Sequence, residues 1–137
     1  FAKHLDMIRK ASIVARIEKH ALKASELAEK DVSDEIIFNA LAMHCFQTVN
    51  AVIELGELLV AEKKLGFPSK YQEIFELICQ NKLITKKTLE DVKRLIFLRN
   101  LVAHEYYSIT VEELKEMVNL LTSLKELLLV AKKNNLF

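Results

Sequence analysis

The chain of 137 residues has only two glycines and one proline. β-Sheet proteins depend on these residues at their turns, so the scarcity argues against an all-β sandwich or barrel. Glycine-rich phosphate loops are excluded as well, because Gly56 and Gly66 cannot supply a GxGxxG or GxxxxGKS/T motif. Apolar residues make up 51% of the chain, which is too many for a disordered protein. These absences leave a helical bundle.

An excess of charge of one sign is also missing. The 20 Lys and Arg residues nearly balance the 19 Asp and Glu residues, for a formal net charge of +1. The chain therefore lacks the basic composition typical of proteins that bind nucleic acids or membrane surfaces. A local basic cleft is still compatible with this neutral total.

Cysteines and metal-binding motifs are sparse. Cys45 and Cys79 form no CxxC motif and lie in separate apolar stretches, which predicts free thiols in an intracellular protein. No histidine has the Glu-x-x-His spacing of di-iron bundles, and no HExxH motif is present. We therefore expect no metal and no other cofactor. Charges such as Lys3 and Asp6 interrupt the N-terminal stretch, so we expect no signal peptide and a cytoplasmic location.

One long stretch, from Ile36 to Ile53, carries no formal charge and is long enough to suggest a membrane-spanning helix. It contains, however, five polar side chains that are costly to place in lipid: Asn39, His44, Gln47, Thr48 and Asn50. We therefore predict that this stretch is a buried helix of a bundle and that the protein makes no membrane contact.

Apolar residues recur at intervals of three and four through almost the whole chain, which predicts helices. We expect five: about Lys3–Lys30, Asp34–Lys64, Ser69–Cys79, a fourth that begins at Thr85 and ends near His104, and a fifth over Thr110–Lys132. The boundary signals are Asp31, Ser33 or Asp34 before the second helix, Gly66 and Pro68 after it, and capping boxes of Ser69 with Gln72 and of Thr110 with Glu113. The predicted fold is an all-α antiparallel bundle that forms one domain over residues 1–137.

The segment Arg99-Asn100-Leu101-Val102-Ala103-His104-Glu105-Tyr106 concentrates potentially reactive side chains at a helix end. An α-helix turns by about 100° per residue, so Arg99 and Tyr106 share one face while Asn100 and His104 share another. Arg99 and His104 diverge by roughly 140°. For both to reach one phosphate, either the helix ends or unwinds before His104, or a second copy of the chain completes the site.

These side chains could together cleave RNA without a metal. The planar donors of Arg99 match phosphate oxygens, and His104 can transfer a proton near neutral pH. His104 would deprotonate a ribose 2′-OH, which attacks the adjacent phosphorus to give a 2′,3′-cyclic phosphate, while Arg99 offsets the charge on the phosphorane. Asn100 could orient the phosphate or the imidazole. The structural alternative is that these side chains bond the last carbonyls of the helix, a common role at a C-terminus.

The motif Arg-Asn-x-x-x-His-x-Tyr at a helix end resembles the HEPN superfamily, and more closely the HepT-type toxins of type VII HEPN–MNT toxin–antitoxin pairs. The segment Glu54-Leu55-Gly56-Glu57 is similar to a glycine–glutamate segment of that family. The layout from Pro68 to Phe75, through Leu83-Ile84 and into Arg99, follows it as well. The resemblance extends from about Ile36 to Leu114.

This resemblance implies a homodimer with an RNA-cleaving site in the cleft between two bundles. Arg99 and His104 would be catalytic, Asn100 would support them, and Glu57 would either orient Arg99 or form an internal charge pair. Tyr106 would be the tyrosine that a minimal nucleotidyltransferase (MNT) antitoxin modifies with AMP, with the adjacent Tyr107 as a second candidate. An added phosphate beside Arg99 would occupy the site and repel RNA. The predicted protein is thus a cytoplasmic, metal-independent endoribonuclease toxin whose partners are RNA, the antitoxin and a second copy of itself.

Two other functions are compatible with the same residues. A non-catalytic HEPN module would use Arg99 and His104 to bind a nucleotide or RNA without cleaving it. A helical interaction module would need neither side chain. Outside the motif, His4 and His20 are expected to be solvated and His44 to be buried and satisfied, while Phe67, Tyr71 and Phe75 are expected to pack.

Overall fold

The computed structural model describes residues 2–104 and 108–133, with side chains from His4 onward. The described residues form six α-helices and no strand: α1 (Ala2–Ala28), α2 (Glu35–Glu62), α3 (Tyr71–Gln80), α4 (Lys86–His104), α5 (Val111–Leu121) and α6 (Lys125–Lys132). A 3₁₀ turn, Thr122–Leu124, joins α5 to α6, so the fifth helix expected from the sequence is interrupted once. The prediction of an all-α bundle is confirmed.

Polar side chains start the helices where the sequence indicated for α2, α4 and α5. Asp34 caps α2, since its Oδ1 accepts hydrogen bonds from the backbone N–H groups of Ile36 (2.9 Å) and Ile37 (3.2 Å). Thr110 and Glu113 form a complete capping box at α5, with hydrogen bonds of 3.1 and 2.9 Å. Before α4, the hydroxyl of Thr85 accepts from the N–H of Thr88 at 3.3 Å. Each of these side chains satisfies a backbone donor that the first helical turn leaves without a partner.

Two of the expected boundary signals are wrong in detail. The box at α3 pairs Ser69 with Glu73 rather than Gln72, because Lys70 is the N-cap and Glu73 therefore occupies the third helical position. At the end of α2, Lys64 rather than Gly66 adopts the left-handed conformation that follows the helix (φ 54°). The N–H of Leu65 then donates to the carbonyl of Val60 at 3.0 Å, which is the hydrogen bond of a Schellman motif.

Helix α2 is the core helix of the bundle. It is long and apolar enough to cross a membrane by length and composition alone, but 44% of its most apolar stretch is buried inside the protein. Its antiparallel packing on α1 is visible in three side-chain pairs whose numbers run in opposite directions: Lys10 with Glu62, Arg16 with Glu54, and His20 with His44. Burial also raises the pKa of the Cys45 thiol on this helix to about 12, so the thiol stays protonated.

Helix α3 packs unusually close to α2 at Gly56. A Cβ atom placed on Gly56 would lie 2.7 Å from Cζ of Phe75 and 2.8 Å from Cγ2 of Ile74, which is closer than side-chain atoms normally approach. Ion pairs then tie α4 to its neighbours: Lys93 bonds Glu76 on α3 at 2.9 Å, and Arg94 bonds Glu116 on α5 at 2.7 Å. These ion pairs hold the middle of α4 against α3 and α5.

Candidate functional site

The described part of the motif identified in the sequence, Arg99 to His104, lies on the last two turns of α4. Because α4 is helical through His104, the alternative in which the helix unwinds before His104 is wrong for the described chain. Arg99 lies on the inner stripe of the helix, between the buried side chains of Leu95 and Val102, and is itself half-buried. His104 lies on the outer face with Asn100, and both side chains are exposed. Within one chain the two candidate catalytic side chains therefore point in different directions.

Two amide side chains hold the guanidinium of Arg99. Its Nε donates a hydrogen bond to Oδ1 of Asn50 on α2 at 2.7 Å, and its Nη1 donates to Oδ1 of Asn100 at 2.9 Å. These bonds are made to side chains and not to the last carbonyls of α4, so the contacts differ from those of an ordinary C-terminal helix cap. Among the described residues, no hydrogen bond from Nη2 of Arg99 is found.

Two aromatic rings also lie against this guanidinium. The Cζ atom of Arg99 is 5.1 Å from the ring centroid of Phe46 on α2 and 5.7 Å from that of Tyr71 at the start of α3. Cation–π contacts at these distances attract the charge without neutralising it. Tyr71 is half-exposed and supports Arg99, a role that the prediction of simple packing missed. The same prediction is confirmed for Phe75, which is fully buried, and wrong for Phe67, which is fully exposed.

Arg99 differs in its partners from the other arginines of the chain. Arg9 and Arg16 both pair with Glu54 on α2, and Arg94 forms two hydrogen bonds with Glu116. Over residues 2–104 and 108–133, no carboxylate lies within ion-pair distance of Arg99. Its positive charge is thus positioned but has no carboxylate partner among the described residues, which is the arrangement expected of an anion-binding side chain.

Glu57, the site residue that the sequence suggested on α2, is not a hydrogen-bond partner of Arg99. Glu57 is exposed, and no partner for its carboxylate is found in the described part of the chain. The α2 residue that contacts Arg99 is instead Asn50, which the sequence analysis considered only as a polar side chain of a buried helix. Helical spacing could have identified it, since Met43, Phe46 and Asn50 recur at three and four residues along one stripe of α2. Tyr106, Tyr107 and Glu105 lie outside the described residues.

An open cleft of about 510 Å³ lies beside this cluster, between α2 and the end of α4. Its lining residues are Asn39, Met43, Phe46, Val102 and Ala103. Phe46 belongs to both features, because its ring lines the cleft and contacts Arg99. The candidate site is therefore a guanidinium that has no carboxylate partner in the described part of the chain, next to a mostly apolar cleft.

Two of the other three histidines form a separate pair. His20 on α1 and His44 on α2 have their Nδ1 atoms 3.0 Å apart, and both rings are half-buried. His44 was expected to be buried and hydrogen-bonded, and it is half-buried with its ring nitrogen close to that of His20. The expectation that His20 is solvated is wrong, because the antiparallel packing of α1 and α2 brings the two rings together. In the described part of the chain, no group of three or more His, Cys, Asp or Glu side chains is arranged to hold a metal ion.

Comparison with known proteins identifies the family of the chain and proteins that are similar to it. A family model described as Ribonuclease HepT-like matches residues 8–131. The mRNA nuclease HepT of Shewanella oneidensis is 22% identical to the chain over 106 residues, which cover 77% of this chain and 80% of that protein.

Solved structures of other proteins share the fold. The cytosolic protein of unknown function YutE from Bacillus subtilis has a TM-score of 0.72 at 19% identity, with 88% of each chain covered. The tri-AMPylated HEPN toxin of Shewanella oneidensis, in complex with an MNT antitoxin, has a TM-score of 0.67 at 17% identity, with 86% of this chain and 97% of that chain covered. The motif on α4 thus occurs in a bundle with the topology of a HEPN toxin, and the match over residues 8–131 shows that the chain belongs to the Ribonuclease HepT-like family.

Proposed function

We propose that this protein is an endoribonuclease and the toxin of a HEPN–MNT toxin–antitoxin pair. The observation that carries the proposal is the state of Arg99, whose guanidinium is held by Asn50 and Asn100 and flanked by two rings but lacks a carboxylate among the described residues. An anion such as an RNA phosphate completes this arrangement. The proposal is further supported by the family and by the relative named mRNA nuclease HepT.

The spacing of the two side chains favours a site formed by two chains. Arg99 and His104 are five residues apart on one continuous helix, so they leave it in directions roughly 140° apart, and one straight helix cannot easily aim both at the same phosphate. A two-fold axis near the end of α4 would set Arg99 of one subunit opposite His104 of the other and create two equivalent pairs. We therefore propose a homodimer with the catalytic residues at the interface.

The reaction follows from the chemistry of these side chains. One His104 removes the proton from a ribose 2′-OH, and the 2′-oxygen attacks the adjacent phosphorus. The bond from phosphorus to the 5′-oxygen breaks, and the same His104, now protonated, returns the proton to the leaving 5′-oxygen. The products are a 2′,3′-cyclic phosphate and a 5′-hydroxyl. Arg99 compensates the charge that develops on the phosphorane oxygens, and Asn100, bonded to Arg99, supports its orientation.

No step of this mechanism uses a metal, so cleavage should survive chelation. The test is to incubate the purified protein with bulk RNA in EDTA and to follow the 2′,3′-cyclic phosphate ends. Cleavage by the wild type that is lost in both Arg99→Ala and His104→Ala supports the proposal. RNA that stays bound but intact in the wild type would instead identify a non-catalytic binding module. If the wild type and both variants neither cleaved nor bound RNA, only the role of a helical interaction module would remain.

Control by an antitoxin is part of the same proposal. The solved relative is a tri-AMPylated toxin bound to an MNT antitoxin, and Tyr106 is seven residues beyond Arg99, on the same face if the helix were extended. We propose that a nucleotidyltransferase partner transfers AMP from ATP to the hydroxyl of Tyr106 in the cytoplasm, with release of pyrophosphate. Intact mass after co-expression with such a partner should then show AMP additions that Tyr106→Phe removes. Additions that persist in Tyr106→Phe and disappear in Tyr107→Phe would move the modification to the neighbouring residue.

A further inference from the structure

The cleft between α2 and the end of α4 has no part in the mechanism derived above. Its walls are largely apolar: Met43 and Phe46 from α2 face Val102 and Ala103 from α4, with Asn39 as the polar lining residue. Its volume of about 510 Å³ lies within the range of pockets that hold small ligands. Met43 remains 53% exposed, so the apolar wall is accessible from solvent.

The position of the cleft relative to Arg99 limits what can occupy it. Phe46 lines the cleft and also lies 5.1 Å from the Arg99 guanidinium, so a ligand in the cleft is one aromatic ring away from the uncompensated charge. A purely apolar occupant, such as side chains of another protein, would fill the cleft beside Phe46 and supply no counter-charge to the nearby guanidinium of Arg99. A ligand with an anionic group joined to a flat apolar group could place the apolar group in the cleft and pair its charge with the Arg99 guanidinium.

We infer that this cleft binds a nucleobase of the RNA, belonging to the nucleotide whose phosphate pairs with Arg99. The inference rests on the proposed function and extends it with a base-binding subsite. RNA-binding proteins commonly hold unstacked bases against aromatic and apolar side chains, and Phe46 and Met43 provide such a wall. Stacking of this kind tolerates every base, because each base has a π-face.

Binding can be measured separately from cleavage in the full-length His104→Ala protein. The probes are adenosine 3′-monophosphate, which carries base and phosphate, and ribose 5-phosphate, which carries the phosphate without a base. In this background, Ala103→Trp fills the cleft and Met43→Ala removes part of its wall. Ala61→Trp is the matched control, since Ala61 is exposed on α2 and lies about 27 Å along the helix from Met43.

We expect the nucleotide to bind at least tenfold more tightly than ribose 5-phosphate, and both cleft variants to lose most of this difference. The control should keep it, and thermal unfolding should show that all variants are folded. Unchanged nucleotide affinity in Ala103→Trp and Met43→Ala would overturn the subsite. A change in oligomeric mass by light scattering, with nucleotide affinity unchanged, would overturn it too and would assign the cleft to contact with a second copy.

The subsite and the nuclease can fail independently. Base-dependent nucleotide binding in a wild-type protein that never cleaves RNA would refute the nuclease and leave the subsite intact. Conversely, normal RNA cleavage and normal RNA affinity in Ala103→Trp, with the His104 side chain present, would refute the subsite and leave the nuclease intact.

Discussion

The Nε of Arg99 donates a 2.7 Å hydrogen bond to the side-chain oxygen of Asn50, which joins the end of α4 to the middle of α2. Asn50 is neutral, so this bond orients the guanidinium while leaving its charge available. A carboxylate at the same position would hold the arginine equally well but would also neutralise it. The identity of residue 50 therefore decides whether Arg99 can attract an anion.

Asn50→Asp tests this relationship with almost no change in shape. We expect RNA cleavage to fall by at least tenfold, since the new carboxylate competes with the RNA phosphate for Arg99. The melting temperature should stay the same or rise, because the hydrogen bond becomes charge-assisted. Asn119→Asp, at an exposed asparagine of α5, controls for the added negative charge. Full cleavage activity in Asn50→Asp would show that Arg99 does not act through its free charge.

Mixing inactive subunits tests whether the site is shared. If Arg99 of one chain acts with His104 of the other, a dimer of one Arg99→Ala chain and one His104→Ala chain contains one intact pair. Random mixing makes about half of the dimers mixed, and each mixed dimer has one of its two sites intact. About a quarter of wild-type activity should therefore return. Each variant mixed with itself is the control. Absence of any recovery, with mixed dimers verified by mass, would place both side chains in the same site of one chain.

Gly56→Ala tests the close approach of α2 and α3. The added methyl group would meet Phe75 and Ile74 at less than 3 Å, and Phe75 is fully buried and has little room to move. We expect the free energy of unfolding to fall by about 1–3 kcal/mol, even though alanine favours a helix more than glycine does. Ala61→Gln, at an exposed position of the same helix, should change it by less than about 0.5 kcal/mol. Chemical denaturation measures both, and equal stability of the two variants would mean that α3 can shift without cost.

The ion pair of Lys10 and Glu62 should respond differently to the loss of each partner. Lys10 is almost fully buried, at 2% exposure, whereas the Glu62 side chain is 31% exposed. Glu62→Ala leaves a buried ammonium without its partner, so we expect a loss of about 2–4 kcal/mol in the free energy of unfolding. Lys10→Met keeps the volume and lets Glu62 hydrate, so the loss should be about 1 kcal/mol or less. Denaturant titrations that gave the reverse order would contradict the burial of Lys10.

The pair of His20 and His44 predicts a pH dependence of stability. Burial and, to a smaller extent, the neighbouring His44 lower the pKa of His20 below its ordinary value of 6.5. The unfolded chain then binds more protons than the folded chain in the range just below pH 6.5. The free energy of unfolding is therefore not reduced by His20 above this pH, and it decreases as the pH falls through the lowered pKa. His20→Gln should flatten this decrease in unfolding curves measured between pH 7 and pH 5. An unchanged slope in His20→Gln would assign the pH dependence to other groups.

Helix positions followed from the sequence because they depend on local signals. The apolar spacing located the helices, and Asp34, Thr85 and Thr110 marked their starts, since a cap needs only a side chain and the backbone two or three residues away. The errors at Ser69 and Gly66 are shifts of one or two residues. They arose because neighbouring residues, Glu73 and Lys64, provide the same kind of contact or conformation.

The sequence by itself determined that the chain is an all-α bundle and that Arg99, Asn100 and His104 follow one another near the end of its fourth helix. Only the tertiary structure decided which groups surround them: that Asn50 and Phe46 from α2 and Tyr71 from α3 hold Arg99, and that His20 meets His44. These partners lie at least 24 residues apart along the chain. Periodicity and capping are properties of one helix, whereas such contacts depend on how helices are rotated and shifted against each other when the whole core packs.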